Sequence, residues 1–212
     1  MRSSRKFAST LCVALLLVLP TQSIAQALLA PTLPQITRVD QDAANITVDG
    51  FIDEEIWKDL PVIDGMKVTD PDTLADAPYE THVRFFYTER GIYLSAMNFQ
   101  PKETLMARMT SRDTRLERDG FVVAIDASGE GLYGFLMRIN LGNSLTDATL
   151  LPERILNIQW DGPWLARTQA LENGWSAEYF IPWSMMPLPQ VEGARKLGFY
   201  FERQVGHLQG ET

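Results

Sequence analysis

The chain has 212 residues, with 27 acidic against 19 basic side chains and a formal net charge of −8. That surplus excludes a nucleic-acid partner and adsorption to an anionic membrane surface, both of which need clustered cations. One cysteine, Cys12, excludes a disulfide framework, a thiolate metal site and, once a leader is removed, a cysteine nucleophile.

Residues 1–25 read as a secretory signal peptide. Arg2, Arg5 and Lys6 open it, the apolar run Leu11–Leu19 is too short to span a bilayer, and small residues follow at cleavage spacing around Ala25 and Ala27. The expected location is therefore exported: periplasmic, outer-membrane-associated or secreted, in a bacterium. Loss of the segment also removes three cations and makes the chain more acidic. Residues 26–43 carry prolines and polar breaks without periodicity, and are expected to form an N-terminal arm or linker. Residues 44–212 suffice for one domain with a substantial core.

From residue 45 the pattern is mostly β. Asp49-Gly50 reads as a tight turn after a first strand, and Asp53 as the N-cap of a short helix that carries Trp57 into the core. Thr81–Tyr87 alternates, with Val83, Phe85 and Tyr87 on one face, and pairs as a hairpin with Gly91–Met97. Further short strands are expected at Phe121–Asp126, Tyr133–Asn140, Trp164–Leu171, Trp175–Ile181 and Leu197–Arg203, with Trp183–Met186 as a second helical turn. In the run Trp175–Ile181, Trp175, Ala177 and Tyr179 share one face, with Ser176, Glu178 and Phe180 on the other. These elements predict an all-β, antiparallel β-sandwich, jelly-roll-like, with one or two short helices.

Several motifs lead nowhere. Gly129–Gly134 fits G-x-G-x-x-G but precedes a strand, so no helix N-terminus would meet a pyrophosphate, and a hairpin turn is the better reading. His82 and His207 lie too far apart in sequence to suggest a zinc site. No acid/base pair can be named, because the separation that defines one is spatial.

Four of the five tryptophans fall between residues 160 and 183. Trp160 and Trp164 flank Asp161-Gly162-Pro163, a turn sequence that would expose its neighbours. An exposed indole there would stack on a sugar ring, with Asp161 bonding its hydroxyls. Trp160 reads equally as that platform or as a cover for the sandwich end, whereas Trp164 begins a strand and favours burial. Arg112 and Asp113, in the polar stretch 110–119, are secondary candidates for binding sugar, with a loop ion pair as the alternative. Asp119, Asp126, Asp147 and Asp161 sit at expected strand ends or loops, so structural calcium is conceivable; turn and cap roles explain them as well.

Taken in order, Ile46–Trp57 (V-D-G-x-I-D-E-x-x-W), Asp119–Asp126, Asn157–Asp161, Gly174–Glu178 (G-W-x-A-E), Ile181-Pro182-Trp183 and Gly198–Arg203 resemble the family 9 carbohydrate-binding modules. The resemblance spans about residues 44–203. It implies a β-sandwich that binds a polysaccharide or oligosaccharide, is often attached to glycoside hydrolases, and in some members holds calcium. It also implies a clamp of two tryptophans around a terminal sugar. Leu116 stands at the first clamp position, Val122 where the central strand usually carries an acid, and the second tryptophan would lie beyond Thr212. Two further readings follow: a structural or interaction module whose C-terminal envelope domain is missing, and part of a glycoside hydrolase.

Overall fold

The computed structural model describes residues 34–113 and 118–208. The chain divides into two compact units, Met1–Pro34 and Gln35–Thr212, and the fold described here is that of the second. Leu116 and the expected signal peptide, residues 1–25, lie outside the described residues.

Ten strands form two five-stranded sheets. They are β1 (Thr37–Arg38), β2 (Thr81–Tyr87), β3 (Gly91–Phe99), β4 (Gly120–Asp126), β5 (Gly134–Asn140), β6 (Leu145–Leu151), β7 (Ile155–Asn157), β8 (Leu165–Leu171), β9 (Gly174–Pro182) and β10 (Gly198–Gln204). One sheet runs β1-β2-β3-β9-β8 and the other β10-β4-β5-β6-β7. Every pairing is antiparallel except β1 with β2, which is parallel. The expected sandwich is therefore present.

Period-2 alternation explains the core. Val83, Ile92, Leu94, Ala96, Trp175, Ala177, Tyr179 and Ile181 project from the first sheet onto Phe121, Val123, Ile125, Met137 and Ile139 of the second. The Tyr179 hydroxyl crosses the interface and donates to the Phe121 carbonyl at 2.7 Å. Burial raises its pKa, so the group stays a neutral donor and the core keeps no unmatched polar oxygen there.

The first sheet is buried on its other face too. Ala44, Trp57, Leu60, Phe86, Tyr93 and Phe180 form a second apolar cluster, flanked by Val39, Ile46, Val48, Ile52 and Ile56. This cluster changes the reading of the N-terminal region. Thr37 and Arg38 pair with Phe86 and Tyr87, and a short helix, α1 (Gln41–Ala44), follows. The compact unit accordingly begins at Gln35 rather than at residue 44, and the expected arm contributes an edge strand. Residues 46–48 form no strand; their apolar side chains serve as a lid on the outer face of the first sheet. The expected helix is a 3-10 turn, Glu55–Asp59, with Glu54 rather than Asp53 at the N-cap position. The Glu54 carboxylate turns back to accept the Thr47 amide at 3.0 Å and the Trp57 indole N–H at 3.0 Å.

Strands β6 and β7 were not anticipated in the sequence reading. Their run, LTDATLLPERILN, is interrupted by Pro152, and the alternation of β6 places Asp147 on the core side opposite Met137. An acid at a core position masks the strand signal. What allows it there is the arginine described next.

Candidate functional site

Six sequence candidates converge at one end of the sandwich. Asp147 is fully buried and receives donors from three residues. The Arg112 guanidinium donates to both its oxygens at 2.6 Å, the Gly162 amide at 2.7 Å and the Trp164 indole N–H at 3.0 Å. Arg112 also reaches Asp161 at 3.0 Å and lies 4.0 Å from Asp113. Burial works against the charge on Arg112, but hydrogen bonding and attraction from Asp147, with Asp161 and Asp113, outweigh it and raise its pKa. The group is permanently cationic.

The tryptophans divide. Trp164 is only 3% exposed, and its ring lies parallel to Tyr179 at 5.8 Å. It therefore offers no face to a sugar, which corrects its place among the binding candidates: the strand-start position and the need to satisfy its N–H on Asp147 hold it inside. Trp160 is half-buried, tilted against Phe135 at 4.9 Å. A Cβ built at Gly162 would fall 2.5 Å from the Trp160 ring, so the Asp-Gly-Pro turn lies directly on the indole.

The four aspartates considered for calcium do not share a site. Asp119 is buried and accepts the Met106 amide at 2.7 Å and the Gly206 amide at 2.9 Å. Asp126 caps the β4–β5 turn, accepting from Ser128 at 2.8 Å and from Gly131 at 2.5 Å. Asp147 and Asp161 do meet, together with Asp113, and one oxygen from each lies within 4.8 Å of the others. A divalent ion takes several such oxygens, but here the Arg112 guanidinium supplies the positive charge. His82 pairs with Glu80 at 2.5 Å, and His207 with the Tyr79 hydroxyl at 3.1 Å.

A different surface emerges on the outward face of the second sheet. Ladder register places Glu202, Val122, Arg138 and Thr146 in one row across it, and Tyr200, Ala124, Leu136 and Ala148 in the next. Glu202 and Arg138 approach to 3.7 Å across Val122, and Tyr200 donates its hydroxyl to Glu202 at 3.2 Å. The acid missing from position 122 thus has a counterpart one strand away. Tyr200 and Glu202 lie in the Gly198–Arg203 motif without standing out as site residues; their alternation with Phe199 and Phe201 is the available signal. Beyond this row a groove of about 780 Å³ opens between the β4–β5 turn, the β6–β7 connection and the start of β10.

The architecture is a two-sheet, mostly antiparallel β-sandwich. No protein-family model matches the chain, and comparison with curated proteins gives no match. Solved structures do match. A family 9 carbohydrate-binding module from Caldicellulosiruptor kristjanssonii in complex with cellotriose superposes with a TM-score of 0.58 at 16% identity, over 84% of this chain and 81% of that one. A structure from the same source in complex with glucose gives 0.56 at 15% identity, over 82% of each chain. A candidate carbohydrate-binding protein from Bacteroides uniformis gives 0.62 at 13% identity, over 83% of this chain and 85% of that one. The described fold is that of a family 9 carbohydrate-binding-module-like domain.

Proposed function

We propose that this protein is an exported, non-catalytic glycan-binding module that serves polysaccharide breakdown. The observation that carries the proposal is the shared architecture with modules solved in complex with cellotriose and glucose. Export rests on the basic start and short apolar run of residues 1–25. A non-catalytic role is supported by the use made of the buried acids. Asp119, Asp147 and Glu178 each accept at least two structural hydrogen bonds, so none is poised as a general acid or base.

Affinity electrophoresis of the mature protein through gels containing xylan or hydroxyethyl cellulose, with a matched incubation assayed for reducing ends, tests both parts. The expected result is retardation without release of reducing ends. Migration unchanged on every polysaccharide would overturn glycan binding, and release above background would overturn the non-catalytic assignment.

A further inference from the structure

Resting on that glycan-binding reading, we propose that the groove between the β4–β5 turn, the β6–β7 connection and the start of β10 is the binding cleft, and that it takes an oligosaccharide stretch of an uncharged polysaccharide.

Shape and lining point the same way. The groove's volume, about 780 Å³, lies in the range of roughly 300–1,000 Å³ typical of ligand clefts. Its floor is built from Ala124 and Leu150, with Gly134 and Gly198 at the starts of β5 and β10. A Cβ at Gly134 would meet the Ile125 carbonyl oxygen at 3.0 Å, and one at Gly198 would meet the Asp126 side chain at 3.2 Å. At both positions a side chain would crowd the neighbouring residues. On this floor stand two exposed tyrosines from different elements, Tyr133 at 59% and Tyr200 at 50% exposure. A tyrosine ring left half in water at a concave surface is amphipathic in the way a sugar is: it offers an apolar face for stacking and a hydroxyl for hydrogen bonding. Tyr133 comes from the turn and Tyr200 from the sheet, so the two ring faces serve more than one point along a bound chain.

Charge narrows the class. Three carboxylates line the groove, Asp126, Glu130 and Glu153, and no lysine or arginine stands among its described lining residues. Asp126 is already used as a turn cap, and its hydrogen bonds to Ser128 and Gly131 hold its pKa down despite partial burial. Glu130 and Glu153 are exposed at the rim as acceptors for hydroxyl donors. Such a lining repels uronate-bearing and sulfated polymers and accepts neutral ones. Glu153 has φ 63°, a left-handed conformation that costs a non-glycine residue energy. Strain at a groove-lining acid marks a position held by its surroundings rather than by local preference.

The test is isothermal titration of the mature protein with cellohexaose, xylohexaose, glucose and oligogalacturonate, followed by Tyr133→Ala, Tyr200→Ala and Glu153→Gln, each checked for an unchanged melting temperature. Expected are binding of a neutral hexasaccharide, at least tenfold weaker binding of glucose and of oligogalacturonate, and at least a tenfold loss in each tyrosine variant. Should Tyr200→Ala fail to fold, Tyr133→Ala in the surface turn decides alone. A neutral hexasaccharide bound with unaltered affinity by folded Tyr133→Ala and Tyr200→Ala overturns the cleft while leaving glycan binding intact. Tighter binding of oligogalacturonate overturns the ligand class. Absence of binding to every sugar overturns the cleft together with the reading it rests on.

Discussion

Glu178 of β9 accepts the indole N–H of Trp57 at 3.2 Å, joining segments 121 residues apart. Its other oxygen accepts the amides of Gly50 at 2.9 Å and Asp49 at 3.2 Å. A single fully buried carboxyl thus ties the V-D-G and W of the N-terminal motif to the G-W-x-A-E strand. Gly50 is required at this junction: its φ is 94°, and a Cβ there would lie 2.8 Å from the Thr168 carbonyl carbon of β8. The two motifs are spaced in sequence because they meet in space. Their shared role is to seat the lid on the first sheet.

Burial pushes the Glu178 carboxyl up to about 8; the Gly50 and Asp49 amides oppose that rise, and the neighbouring charges of Glu54 and Asp49 add to it. In the unfolded chain the group ionises near its ordinary value of 4.5, so folding takes up a proton between pH 4.5 and about 8. The fold is favoured most at the acid end of that window and loses stability as pH rises through it. Thermal melting at pH 5, 6, 7 and 8 should show this decline, and Glu178→Gln should flatten it. An equal slope in the variant would remove Glu178 as its source.

Trp57 is 2% exposed and tilted against Phe86 at 5.3 Å. Replacement by alanine should cost about 3–5 kcal/mol through lost burial and the cavity left behind. Trp57→Phe keeps most of the apolar volume but leaves Glu178 and Glu54 without their indole donor. Urea unfolding should place it between wild type and Trp57→Ala, with a midpoint shift that grows as pH rises and Glu178 ionises.

Most of the fold was legible because period-2 alternation reports burial directly. Val83, Phe85 and Tyr87, and likewise Trp175, Ala177 and Tyr179, do project into one core. Elements were missed where the rule is locally broken. β6 carries Asp147 at a core position, and β1 is two residues long and gains its identity only by pairing with β2. The candidate site was legible as residues but not as an arrangement. Arg112, Asp147, Asp161 and Trp164 were each singled out, but nothing in their spacing says that Asp147 takes Arg112 and Trp164 together or that Arg112 also holds Asp161. Tyr133 and Tyr200 lay hidden for the opposite reason: strand and turn tyrosines are ordinary until the fold leaves their faces exposed along one groove.

Arg112 stands where a cation would be needed. Arg112→Ala leaves Asp147 buried without its charge partner, and should cost about 1–3 kcal/mol, less than a fully buried pair because the guanidinium is 38% exposed. It also leaves three carboxylates with oxygens within 4.8 Å of one another. Millimolar calcium should then raise the melting temperature of Arg112→Ala by several degrees more than that of the wild type. Equal shifts in both proteins would show that the guanidinium and a metal ion do not compete for these acids.

Trp160 separates packing from recognition. Its ring lies against Phe135 and under the Gly162 turn, whose amide is fixed on Asp147. Trp160→Ala should therefore loosen this end of the sandwich by about 1–2 kcal/mol, the share expected of a half-buried indole. Retention on a xylan or cellulose gel should persist at temperatures where the variant is folded. The reverse pattern, full stability with retention abolished, would make Trp160 the stacking platform and move the sugar to the Arg112–Asp161 end. Measuring melting and retention on the same preparation distinguishes the two, because a packing residue cannot lose binding while the fold keeps its stability.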